Sequence, residues 1–233
     1  MVTFVGIACA AEHPLHPPET RLAIPPPFQP NAVRRYRAGE DILNSPPFHL
    51  TPVAAMTEYS GGFGRGLAKI SENHGWTVRI FATYSQKVAA VCAAARKTGE
   101  VVDLREGPGL LSPNESLDWI ARVRSKHVSW GNAISFLSQT TQDGALYAPH
   151  NLHLNYNVWG VTADRGYTVI ASIGVSHPKL VDWFDMTKEL RVAHSMKELK
   201  QDPDYKRIER CKAEEFTPSL TAFDQMLDSL KIR

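Results

Sequence analysis

The sequence predicts an α+β fold: a mainly antiparallel sheet packed with helices, a proline-rich extended N-terminal arm before it, and a helical C-terminus behind it. Three observations carry this. The runs LHLNYNVWGVT and YTVIASIGVS, near residues 152–176, alternate with period two and are joined by a polar turn, the pattern of a hairpin. From Pro178 onward the chain instead carries helix starts and apolar residues at three- and four-residue steps. The first fifty residues are crowded with Pro14, Pro17, Pro18, Pro25, Pro26, Pro27, Pro30, Pro46 and Pro47. Proline fixes φ and donates no backbone hydrogen bond, so this stretch is neither helix interior nor central strand.

Three segments follow from this: an arm over 1–48, an α+β core over 49–177 and a helical segment over 178–233 packed on the core. A chain of 233 residues with 43% hydrophobic and 21% charged composition is long enough to bury one sizeable core. Within the core, HLTPVAAM and WTVRIFAT read as strands, separated by the loop YSGGFGRG and a short helix over 67–73. Ser85 caps a helix whose Val88, Val91, Cys92 and Ala95 share one face, with Gly99 as its stop. EVVDL completes an expected βαβαβ order.

Ser112-Pro113-Asn114-Glu115 has the form of a capping box, so a second core helix is expected to run to about His127, burying Leu117, Ile120 and Val123. NAISFLSQT and the two runs already quoted then supply three strands. Asp202-Pro203 and Thr217-Pro218 each look like an N-cap followed by proline at the first helical position. In the last helix Leu220, Phe223, Leu227 and Leu230 form a docking stripe.

Taking the turn around Asp164-Arg165 fixes the hairpin register. Asn157 then faces Ser172, Asn155 faces Gly174 and His153 faces Ser176, while Leu154, Tyr156 and Val158 face Val175, Ile173 and Ala171. One face is apolar and the other small, neutral and polar; a slip of one residue would mix them. The polar face admits three readings: a water-facing sheet, a polar interface, or a pocket. In the pocket reading His153 is a base or the partner of a Ser176 nucleophile, Asn155 or Asn157 holds an oxyanion, and Ser172 lines the wall.

Gly61, Gly62, Gly64 and Gly66 are the candidate cofactor-binding residues, because glycines before a helix let backbone N–H groups approach an anion. Their spacing matches neither GxGxxG nor GxxxxGK[ST], and a tight turn is the competing reading. No metal site and no dissociable cofactor are expected. His150 and His153 lie three apart, which on a strand puts them on opposite faces, and His177 has no carboxylate at ligand spacing.

Cys9, Cys92 and Cys211 are odd in number and far apart, without a CxxC pair, so small buried thiols in an intracellular, reducing compartment are expected. The opening MVTFVGIACAAEHP lacks a positively charged start and reads as a strand or packed arm rather than a signal peptide. No run reaches the roughly 18 apolar residues of a transmembrane helix. With 26 basic against 24 acidic residues, and eleven of each from Lys179 onward, there is no basic footprint for nucleic acid.

Function read from these features is that of a non-catalytic accessory or structural subunit. Its arm and C-terminal helices would dock protein partners or a second copy of the chain. The alternative is a small-molecule enzyme, a hydrolase, isomerase or cyclase, with a polar pocket on the sheet face around His153.

Overall fold

A computed structural model describes residues 17–37, 51–52, 54–63, 75–98, 111–112, 117, 119–139, 145–181 and 191–233. The strands are β1 (Thr20–Arg21), β2 (Phe28–Tyr36), β3 (Thr51–Pro52), β4 (Met56–Phe63), β5 (Trp76–Phe81), β6 (Leu111–Ser112) and β7 (Trp119–Val128). They continue with β8 (Gly131–Gln139), β9 (Leu146–Tyr147), β10 (Leu154–Thr162), β11 (Thr168–Gly174), β12 (Val192–Ala193) and β13 (Lys231–Ile232). The helices are α1 (Gln86–Thr98), α2 (Met196–Leu199), α3 (Pro203–Arg210) and α4 (Leu220–Asp228), with a 3-10 turn at Ala213–Glu215.

Seven strands form one antiparallel sheet in the order β2-β4-β5-β11-β10-β8-β7. The β10–β11 hairpin has the register read from the sequence: Asn157 pairs with Ser172, Asn155 with Gly174, Tyr156 with Ile173 and Val158 with Ala171. Its loop is closed by Thr162 N–H on the Tyr167 carbonyl, 3.0 Å, and Asp164 accepts from the Gly166 amide at 3.0 Å. Alternation therefore sends Tyr156, Val158, Ala171 and Ile173 to one face and Asn155, Asn157, Trp159 and Val161 to the other.

Each face buries against helices. Tyr156, Val158, Ala171 and Ile173, with Trp76 and Trp119, pack on α3 and α4 through Tyr205, Ile208, Leu220, Phe223, Met226 and Leu227. Trp159, Val161, Phe136 and Ile134 pack on α1 through Val88, Val91, Cys92 and Ala95. The neutral polar stripe is thus polar over only part of its length. Its far half, from Trp159 on, is core beneath α1.

Three expectations need correction. The expected second core helix is overturned over its described part: Trp119–Val128 is the strand β7, last in the sheet order. A bulge between Ala121 and Arg124, with Arg122 at φ 54°, breaks the alternation. The extra residue leaves Ile120 and Val123, three apart, against the same cluster, which mimics a helical face. YSGGF is likewise strand, not loop. A Cβ on Gly61 would lie 2.0 Å from the Gln29 carbonyl oxygen and 2.5 Å from the Trp76 indole, so glycine there serves close packing between strands. β4 and β5 pair antiparallel, as the mainly antiparallel sheet requires. The last helix starts at Leu220 after Ser219, two residues beyond the expected Thr217-Pro218 start.

The proposed helix over 67–73 and the strand EVVDL lie outside the described residues. Within the proline-rich stretch, β2 takes the sheet's edge position in this order, with a register shift between Pro30 and Ala32, which is the placement a proline permits. α3 starts as expected: the Asp202 carboxylate accepts from the Asp204 and Tyr205 amides with Pro203 at the first position. No helix among the described residues is long and apolar enough to cross a membrane.

Candidate functional site

Beyond the end of β11 the chain makes an isolated bridge between Ser176 and Thr217, with reciprocal backbone hydrogen bonds of 2.9 Å. His177 follows at once and is buried, 1% exposed. Its backbone is clamped by Asn151: the amide oxygen accepts from His177 N–H at 2.8 Å and the amide nitrogen donates to the His177 and Leu180 carbonyls at 3.2 and 3.3 Å. Arg207 of α3 donates to the Lys179 carbonyl at 3.3 Å and holds the same turn from the other side.

Cys211 sits at the C-cap of α3, and Glu215 ends the 3-10 turn that follows. Cys211 Sγ lies 3.1 Å from His177 Nε2, and Glu215 Oε2 lies 3.8 Å from the same nitrogen. All three ligand-type atoms fall within 4.8 Å of one another. The other oxygen of Glu215 accepts from the Lys212 amide at 2.8 Å, fixing the carboxylate at the solvent side of the cluster. Phe216 stacks on the inner side, its ring 5.2 Å from the imidazole at 60°.

Electrostatics disfavour the charged forms of both His177 and Cys211. Burial lowers the His177 pKa; Glu215 opposes this, while Arg207 and Lys179 lower it further. Burial, then Glu215, pushes the Cys211 thiol up. The Lys212 amide holds the Glu215 carboxyl below its usual range. No preformed thiolate–imidazolium pair results, because each partner's charged form is disfavoured. In this state the Lys179 amide donates to His177 Nδ1 at 3.2 Å, which selects the tautomer with its proton on Nε2, directed at the sulfur and the carboxylate.

Around the cluster runs a polar network. Arg191 pairs with Asp202 at 2.9 Å and Asp204 at 2.5 Å, and Arg207 with Asp204, so α3 and the strand β12 brace the loop carrying Cys211. Arg122, at the β7 bulge, donates through Nε to the Cys211 carbonyl at 3.2 Å, and its own amide donates to Glu209 at 2.8 Å.

The residues singled out in the sequence lie elsewhere. Asn155 and Asn157 do share a face with Ser172; Asn157 donates to the Ser138 hydroxyl at 2.8 Å and Asn155 to the His153 carbonyl at 3.0 Å. His153 is exposed before β10, its ring 6.4 Å from that of His150. Ser176 is buried and donates to the Thr217 carbonyl at 3.3 Å. Gly61 and Gly62 are strand residues, the Gly62 carbonyl accepting from the Trp76 indole at 3.2 Å, and Gly64 and Gly66 lie outside the described residues.

The His177–Cys211–Glu215 cluster, with its imidazole and thiol buried, overturns the expectation of a non-catalytic accessory or structural subunit. A scaffold has no need to bring an imidazole, a thiol and a carboxylate together from two segments 34 residues apart. Sequence reasoning set His177 aside for lack of a nearby carboxylate and treated Cys211 as a small hydrophobe. The available signal was the Cys211-Lys212-Ala213-Glu214-Glu215 spacing directly after a capped helix. No known protein family, no curated protein and no solved structure matches the chain.

Proposed function

We propose that the protein is a small-molecule enzyme of the hydrolase class whose working centre is a single divalent metal ion held by His177 Nε2, Cys211 Sγ and Glu215. The observation that carries this reading is the convergence of one nitrogen, one sulfur and one oxygen donor within 4.8 Å. Tetrahedral zinc with ordinary bond lengths sets its ligand atoms about 3.3 to 3.6 Å apart, so the observed 3.1 and 3.8 Å from Nε2 need only small adjustments. Mixed imidazole, thiolate and carboxylate donors suit zinc, and three protein ligands leave a fourth position for the reaction.

A metal so held supplies Lewis acidity toward a substrate carbonyl or phosphoryl oxygen. The chain's own groups do the rest. Asn151 and Arg207 fix the turn that aims His177, Phe216 shields the inner side, and the half-exposed Glu215 marks the entry. Lys179, Arg207 and Arg122 act on the cluster at Coulomb range, which favours substrates bearing a carboxylate or phosphate. A cysteine that must stay reduced to serve as a ligand suits a reducing, intracellular setting. Association with a protein partner or a second copy would accompany this activity, through the outer edge of β2 where Val33 is exposed.

One observation favours a second reading. A metal on Nε2 requires the imidazole proton on Nδ1, where the Lys179 amide now donates. Metal binding would therefore require this hydrogen bond to be given up; without a metal, His177 donates to Cys211 and the site is a thiol–imidazole pair. Titration with cobalt(II) separates the two. The metal reading expects a single equivalent bound, with the visible bands of a tetrahedral site and a near-ultraviolet thiolate band. Cys211→Ser loses that band, Glu215→Gln weakens binding at least tenfold, and zinc displaces the cobalt. Absence of stoichiometric uptake sinks the metal reading.

A further inference from the structure

We propose a second, separate binding site: a cationic cleft between β1, β13 and β2 that takes a small molecule bearing a phosphate or pyrophosphate group. The cleft measures about 220 Å³ and is lined by Glu19, Thr20, Arg21, Arg35, Lys231 and Arg233. Four cations thus face one carboxylate side chain. Among the described residues none of those four side chains is engaged in an ion pair.

The framework under these charges is rigid in the places that matter. β1 and β13 pair with Arg21 directly opposite Lys231. Like charges across a strand pair are destabilising, so the fold holds a repulsion here that a bound anion would relieve. The Arg233 amide donates to the Glu19 carbonyl at 2.9 Å, and the Thr20 and Tyr59 hydroxyls meet at 2.7 Å, tying the small sheet to the large one. Arg35 comes from β2, where its position is set by pairing with Thr57 on β4. Three independent strands therefore deliver cations to one concavity.

Size and chemistry narrow the ligand. A cleft of about 220 Å³ has room for a phosphate or pyrophosphate group. Arginine forks match phosphate oxygens in pairs, and lysine adds a point charge. The Thr20 hydroxyl, already engaged by Tyr59, offers a further polar contact at the rim.

The test is calorimetric titration of the whole protein with inorganic pyrophosphate at fixed ionic strength, sodium chloride making up the balance. The expected result is saturable binding at one site. The double variant Arg21→Ala with Arg35→Ala should weaken it at least tenfold, while Lys197→Ala, an exposed cation on α2, leaves it unchanged. Arg21 and Arg35 are exposed, so the strand pairing survives their truncation, which circular dichroism checks. Binding that persists in the double variant overturns the proposal. So does equal weakening by Lys197→Ala, or the absence of any heat beyond dilution.

Discussion

His150 is 1% exposed, and its ring is packed between Tyr147 at 6.2 Å and His153 at 6.4 Å. Its Nδ1 accepts from the Leu152 amide at 3.3 Å, while its own amide donates to the Gln139 side chain at 3.2 Å. Burial first, and His153 second, lower its pKa from the ordinary 6.5 to about 4. The fold therefore holds the neutral ring. Between pH 6.5 and 4 the unfolded chain binds one more proton here than the folded chain does, so this contribution is complete above 6.5 and declines as pH falls toward 4. At 1.36 kcal/mol per unit, stability should drop by about 2 kcal/mol between pH 7 and pH 5 from this residue alone. Urea unfolding at the two pH values measures it, and His150→Gln should flatten the acid limb. An unchanged limb in the variant would assign the acid sensitivity to other groups.

At the scale of the element, α4 shows what a periodic sequence makes legible. Leu220, Phe223 and Leu227 were readable as a docking stripe because burial repeats at helical spacing, and all three are buried against the sheet. Phe223 is fully buried, its ring edge-on to Phe28 at 6.0 Å and to Tyr156 at 6.3 Å. Polar contacts fix the helix's rotation: the Tyr156 hydroxyl donates to Asp224 at 2.9 Å, Lys126 pairs with the same carboxylate, and the Trp130 indole donates to the Leu227 carbonyl at 2.9 Å. Phe223→Ala should cost about 3 to 5 kcal/mol in chemical unfolding, from lost transfer energy and the cavity left between two aromatic neighbours. A loss under about 1 kcal/mol would mean that α4 is not docked as described. The hairpin β10–β11 was legible for a similar reason, since only one register keeps both faces uniform. β7 was not, because a bulge gave a strand the three-residue spacing of a helix. The site was less legible still: His177 and Cys211 meet only after the sheet has placed the end of β11 beside the C-cap of α3, and no local pattern encodes that meeting.

Across the whole molecule, stability is expected to grade outward from the middle of the sheet. β5, β11, β10 and β8 are interior strands, paired on both sides, and the two side-chain clusters meet them from opposite faces. The β1–β13 pair holds only Thr20 to Ile232 and Arg21 to Lys231, and the β12–β9 pair is equally short. Amides in β10 and β11 should then exchange with solvent only through global unfolding, whereas those of β1, β13 and β12 exchange through local opening. Hydrogen exchange read by mass spectrometry tests this, with uniform protection along the chain as the outcome that would refute it. The same experiment connects fold to function. His177 stands on the continuation of a slow-exchanging strand, while Cys211 and Glu215 stand on a loop braced by side chains. Zinc that joins the two should slow exchange over 211–216 by at least tenfold and leave α1, which touches neither segment's ligands, at its metal-free rate. If α1 slowed equally, the metal would be acting on global stability rather than closing this site.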